Sequence, residues 1–161
     1  MSQFGISGAT VSSALPYSVN INDAAVQTNF SPILLYSICW HETIQGEVNG
    51  SWIASSVISF DGGHGLAQLT SSYPSDWEDP TANAAYAVTN FLFPDMVIWT
   101  EEFGLSGDEL IKCMAASYNA GLAGAEEGHA QNNVDLYTTD NYGQAVLNIY
   151  NNILTGNIHG I

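Results

Sequence analysis

Glu42 falls on the apolar stripe of its own helix, and few folds tolerate that placement. The segment Ser31-Pro32-Ile33-Leu34-Leu35-Tyr36-Ser37-Ile38-Cys39-Trp40-His41-Glu42 opens with a serine suited to an N-cap and a proline at the first helical position. Residues three, four and seven apart share a helix face. Counting back from Glu42 gives Cys39, Ile38 and Leu35. A carboxyl on that stripe loses hydration, which raises its pKa. A lone buried glutamate is rare because it is costly. A carboxylic acid kept protonated near neutral pH is what general acid catalysis needs. The alternative is a helix-end glutamate that reaches solvent just before Gly46, and the helix by itself leaves both open.

The chain has 161 residues, of which 46% are hydrophobic. That fits one domain with a sizeable core. A single domain over 1–161 is expected, with 1–29 as an irregular N-terminal arm, because residues 1–22 are rich in Ser, Gly, Ala and Asn and weak in periodicity. No apolar run approaches the ~20 residues that span a bilayer. The N-terminus has no basic stretch before an apolar core, so no Sec-type signal is expected.

Sixteen acidic residues stand against one basic residue, Lys112, for a net charge of −15. This balance argues against nucleic acid as a partner, since phosphate contacts need Lys and Arg. It equally disfavours an anionic membrane surface. The acidic fraction is ordinary; Lys and Arg are what is missing. Such a chain repels itself at neutral pH and relaxes as carboxylates protonate. It is either a soluble protein with an acidic face or one that works in acid or high salt. Cys39 and Cys113 are too few for a disulfide framework. Both fall among apolar neighbours on predicted helices, which favours free buried thiols over a single bridge between the helices.

Periodicity and punctuation predict a mostly helical chain. A first helix covers 31–46. Residues 51–60, Ser-Trp-Ile-Ala-Ser-Ser-Val-Ile-Ser-Phe, carry the β-branched and aromatic content of a strand. Asp61-Gly62-Gly63-His64-Gly65 is a loop that needs glycine backbones. A short helix or turn follows at 66–70, then a polar loop to Pro80. Asp79-Pro80 opens a helix over 81–93, which Pro94 kinks or ends. Helix continues towards Phe103. Ser106 and Glu109 match a capping box for a helix ending near Ala120-Gly121. The last helix covers 141–155 and stops at Gly156. The expected fold class is α+β, mostly helical, with one small antiparallel sheet near the middle.

A metal site is not expected. His41-Glu42 starts like a zincin motif, but the second histidine that the pattern requires is replaced by Gln45. His64 beside Asp61 supplies two ligands, which do not make a site. No cofactor is expected either.

Taken in order, Glu42-Thr43, Gly65-Leu66-Ala67-Gln68, Ser117-Tyr118-Asn119-Ala120-Gly121 and Tyr142 resemble the motifs of the lysozyme-like superfamily, specifically the soluble lytic transglycosylase and goose-type lysozyme group. In that group a Glu followed by Ser or Thr ends a helix. A Gly-Leu-Met-Gln turn follows the small sheet, here with Ala67 for Met. An Ala-Tyr-Asn-Ala-Gly motif comes next, here with Ser117 first, and a tyrosine opens a late helix. The resemblance covers about residues 30–152. It implies a lysozyme-like catalytic domain with its small sheet beside the active-site cleft.

The resemblance further implies cleavage of the β-1,4 bond between N-acetylmuramic acid and N-acetylglucosamine in peptidoglycan, with Glu42 protonating the leaving oxygen. Asp61, directly before the Gly-rich turn, is similar to the aspartate that places water in the inverting goose-type enzymes. The alternative for Asp61 is a turn residue that binds neighbouring backbone N–H groups. Hydrolysis with inversion is slightly favoured over a transglycosylase that forms 1,6-anhydro ends. Thr43, Gly65, Gln68, Tyr118 and Asn119 are the implied substrate-binding residues, and Tyr142 the partner that orients Glu42. Trp40, Trp52, Trp77 and Trp99 are possible sugar platforms, of which one or two should line the cleft.

The expected partner is thus peptidoglycan glycan strands, with no nucleic acid and no membrane. A catalytically silent glycan-binding or assembly module is the rival from another class. A chitinase or chitosanase is a third reading, since polycationic chitosan suits −15. The expected setting is the bacterial cell wall, reached as a phage lysin, a virion-associated enzyme or a machine-delivered effector.

Overall fold

The structure, a computed structural model, describes residues 3–161 and builds them almost wholly from helices. In chain order these are α1 (Ser18–Thr28), α2 (Pro32–Cys39), α3 (Gln45–Val48), α4 (Pro80–Ala87), α5 (Phe93–Glu101), α6 (Gly107–Ala120), α7 (Leu122–Ala130) and α8 (Tyr142–Leu154). Ser31 caps α2 as its position requires, its hydroxyl accepting from the Leu34 N–H at 3.3 Å, and Pro32 starts the helix. Every residue of α2 is buried, which makes it the central helix. It packs on α1 and α8; α6 lies against α5, α7 and α8, and α1 against α4.

The rod that begins with α2 runs to Val48, but not as a uniform α-helix. Trp40–Ile44 is a π-helical turn, in which the Gln45 N–H reaches back five residues to the Trp40 carbonyl. Past Trp40 the buried positions of the rod are Thr43, Ile44 and Gly46, while the His41 and Glu42 side chains are only partly exposed. A second π-helical turn, Val88–Leu92, joins α4 to α5 directly ahead of Pro94. Proline lacks an N–H and its ring crowds the carbonyl four residues back. The widened turn absorbs both, so the helix continues through Pro94 instead of stopping.

The expected antiparallel sheet does not form among the described residues. Ala54–Ser56 is a 3₁₀ turn, and pairing in this region shrinks to isolated bridges of Ile58 with His64 and His64 with Leu69. The physical reason lies in the side chains: Trp52, Ile53, Ile58 and Phe60 are all exposed. A strand needs a buried face to fix its register, and strand propensity is weak where that face is missing. The fold is therefore helical, without the sheet that an α+β class requires.

Three further expectations are corrected. The irregular arm is shorter than 1–29, because 18–28 is α1, with Ile21, Ala24 and Ala25 buried. Tyr17 and Asn29, both left-handed, bound it without a side-chain cap, so residue order carries no start signal for it. Ile6, Val11 and Leu15 pin the segment before it to the core. The Ser106 side chain makes no cap bond on α6; Gly107 instead donates its N–H to the Phe4 carbonyl at 2.9 Å. Finally, α7 was not foreseen, since Gly124 and Gly128 lower helix propensity. Gly128 is needed there: a Cβ would stand 2.6 Å from the Asn133 carbonyl oxygen. Both cysteines are buried and free, and burial pushes the Cys113 thiol up to about 12. Among the described residues, no helix is long and apolar enough to cross a membrane.

Candidate active site

The π-helical turn carries Glu42 against Tyr142, the first residue of α8. Such turns widen a helix by one residue and recur at functional sites. The Tyr142 hydroxyl donates to Glu42 Oε1 at 2.5 Å. That bond alone would lower the carboxyl pKa, but burial acts the other way and wins, pushing Glu42 up to about 7. Asp61 adds to the rise through its negative charge.

Asp61 itself moves in the opposite direction. It is exposed and accepts from the Ser59 hydroxyl and, at 3.3 Å, from the Gly63 N–H. These donors, the serine first, hold its carboxyl below the usual range. The turn-residue alternative for Asp61 is thus realised in its bonds. The same bonds keep it ionised within electrostatic reach of Glu42. Two carboxyls driven apart in pKa divide acid and base duties between them.

Tyr142 is placed by a buried aspartate that the sequence did not single out. Asp135 Oδ1 accepts from the Gly143 N–H at 2.6 Å and Oδ2 from the Gln144 N–H at 2.9 Å. The Thr138 hydroxyl donates to the same carboxylate at 2.9 Å and accepts from the Tyr142 N–H at 3.1 Å. Asp135 therefore serves the first-turn amides of α8 that Asn141 leaves uncapped. A Cβ at Gly143 would meet the Lys112 carbonyl at 2.7 Å, so only glycine lets α8 approach α6 this closely. His41 is the other unforeseen neighbour. Its ring stands edge-on to Tyr142 at 4.6 Å, and burial lowers its pKa against the opposing pull of Asp140.

The turn at 65–68 is clamped from three sides. Thr43 donates to the Leu66 carbonyl at 2.6 Å. Tyr118 donates to the Ala67 carbonyl at 2.5 Å. Asn83, wholly buried on α4, accepts from the Ala67 N–H at 2.8 Å and donates to the His64 and Trp77 carbonyls, each at 3.0 Å. Gly65 has φ +67°, and a Cβ there would lie 2.5 Å from Asn83 Nδ2. Thr43 and Gly65 are thus buried parts of the scaffold and offer a substrate no surface. Nothing in the local sequence marks Asn83, because a buried asparagine looks like any polar residue of a helix.

Gln68 and Asn119 are more open. Gln68, with φ +53°, donates its side-chain N–H to the Gly65 carbonyl at 3.0 Å. Asn119 is exposed and accepts from the Thr139 N–H at 2.9 Å. Together with Tyr118 they line a cavity of about 450 Å³ that reaches Phe91 and Asp95. A larger cavity, about 520 Å³, opens between the N-terminal segment, α1 and α2, and its lining holds no titratable side chain. The smaller cavity holds Asp95 and Tyr118 in its lining.

The chain matches no known protein family, no curated protein and no solved structure.

Of the tryptophans, Trp40 and Trp99 belong to the core. Trp77 is half-buried edge-on to His64 at 5.0 Å. Trp52 is 44% exposed and lies over Gly46, where a Cβ would come within 2.2 Å of its ring. Its indole N–H donates to the Thr43 carbonyl at 2.8 Å, one residue beyond Glu42. His64 is occupied by the loop, with Nδ1 2.7 Å from the Gly62 carbonyl oxygen and its ring stacked on Tyr73 at 3.8 Å. Among the described residues, no three His, Cys, Asp or Glu side chains are grouped to hold a metal.

Proposed function

We propose that this protein is a peptidoglycan-cleaving glycosidase that breaks the β-1,4 bond between N-acetylmuramic acid and N-acetylglucosamine, with Glu42 as general acid. The observation that carries it is the Glu42 carboxyl at about 7, held by Tyr142 beside the ionised Asp61. A group poised near the working pH is the effective proton donor. The substrate class rests on the resemblance of the Glu42, 65–68, 117–121 and Tyr142 motifs to goose-type lysozymes and soluble lytic transglycosylases. A silent glycan-binding module would have no use for a buried acid with a dedicated hydrogen-bond partner. The setting this implies is the bacterial cell wall.

Asp61 favours hydrolysis with inversion, as it is exposed to water and ionised while its charge still acts on Glu42. Inverting enzymes place the two carboxyls roughly 6.5–9.5 Å apart, with water between them. Digestion of purified sacculi followed by mass spectrometry tests this. Reducing ends are expected, together with at least a roughly ten-fold lower rate for Asp61→Asn, since a general base typically contributes about 10²–10⁴-fold. Anhydro ends with an unaffected Asn variant would make the protein a one-carboxylate transglycosylase. No muropeptide release at all would remove the enzyme reading.

The pH profile follows from the same two groups. Glu42 must be protonated, so the rate is full below about pH 7 and falls above it. Asp61 must be ionised, which its depressed pKa ensures well into acid. The optimum therefore lies on the acid side of neutrality. Tyr142→Phe removes the bond that lowers the Glu42 pKa, so the alkaline limb should move to higher pH. A limb that stays in place would uncouple Tyr142 from the proton donor.

A further inference from the structure

We infer that the cavity beside Tyr118 is a subsite for a primary ammonium on the substrate, selected by the carboxylate of Asp95. The inference rests on the glycosidase reading above and adds a specificity to it. Asp95 lies in the first turn of α5, yet it caps nothing, because α5 continues straight from the preceding π-helical turn and the Phe93 N–H already reaches the Val88 carbonyl. The Asp95 side chain is half-buried and lines the cavity. No described residue donates a hydrogen bond to it, and its oxygens are open to water rather than sealed in protein. Burial first, and then Glu126 facing it from α7, push its pKa up to about 6. No cation offsets the pair among the described residues.

A carboxylate that is partly desolvated and faces a second carboxylate is disfavoured in its charged form. A ligand that brings both N–H donors and a positive charge relieves it best. A sugar hydroxyl would supply a donor but leave the two negative charges in place. Phe91 and Tyr118, edge to face with ring centroids 6.4 Å apart, line the same cavity and offer π surfaces to a cation. The net charge of −15 draws cations towards every part of this surface. A substrate ammonium has two sources: a glucosamine unit lacking its N-acetyl group, or the free side-chain amine of an uncross-linked stem peptide.

Calorimetric titration of the whole chain with the glucosamine disaccharide, the N-acetylglucosamine disaccharide and a sugar-free stem peptide bearing a free amine tests the subsite. At least one amine probe should bind roughly ten-fold more tightly than the acetylated disaccharide, the low end for a hydrogen bond to a charged group. Asp95→Asn should abolish that preference and leave the acetylated disaccharide unchanged. The amine probe that responds identifies the source. Should the variant fail to fold, added salt must weaken the wild-type preference, since charge pairing is screened. Equal binding of charged and neutral probes, a preference indifferent to salt, or an Asn variant that weakens all probes alike overturns the inference. Titration needs no bond cleavage. Ammonium binding without muropeptide release would sink the glycosidase reading alone, and release without an ammonium preference would sink this subsite alone.

Discussion

Glu42→Gln should lower the release of muropeptides from purified sacculi by about 10²–10⁴-fold, the usual worth of a general acid. The glutamine keeps the size of the side chain and an oxygen for the Tyr142 hydroxyl, but it has no acidic proton to give. Stability should move the other way. The folded pKa of Glu42, about 7, lies above its ordinary 4.5, so its contribution to stability is full below pH 4.5 and lost as pH rises through 7. The neutral glutamine carries no such loss. In mildly alkaline buffer the variant should therefore melt no lower than the wild type while being nearly inactive. Half the wild-type rate in the folded variant would remove Glu42 from the role.

Asn83→Ala should produce the largest loss of stability. It strips a fully buried side chain that satisfies the Ala67 N–H and the His64 and Trp77 carbonyls. Each buried group left unpaired costs about 1–3 kcal/mol. A total of about 3 kcal/mol or more lowers the melting temperature by on the order of 10 °C in a chain of this size. The effect also reaches the site, because Asn83 packs on Gly65 and anchors the turn that ends in Gln68. Activity should fall even at temperatures where the variant is folded. Circular dichroism melts and sacculus lysis measured on the same preparations check both parts. An unchanged melting temperature would mean that Thr43 and Tyr118 hold the turn unaided.

Much of the helical frame was legible in residue order. Ser31-Pro32 starts α2, Asp79-Pro80 starts α4, α6 ends at Ala120 before Gly121, and α8 closes just before Gly156. The apolar surroundings of Glu42 were legible too. These signals are local: a cap, a proline or a helix face is set by residues within about four positions of one another. The strand expected at 51–60 failed for the complementary reason. β-branched residues promise a strand only where something covers them, and here Ile53, Ile58 and Phe60 face outward.

The chemistry depends on contacts that no short window contains. Tyr142 meets Glu42 across 100 residues, Tyr118 meets Ala67 across 51, and Asn83 reaches Ala67 from a different helix. The π-helical turn at Trp40–Ile44 carries Glu42 into contact with Tyr142. Composition and spacing thus determined that a carboxylic acid would lie against an apolar helix in a strongly acidic protein. Its working pKa, its hydrogen-bond partner and its ionised neighbour came only with packing, because desolvation and Coulomb interaction depend on distances in space, which sequence separation does not measure.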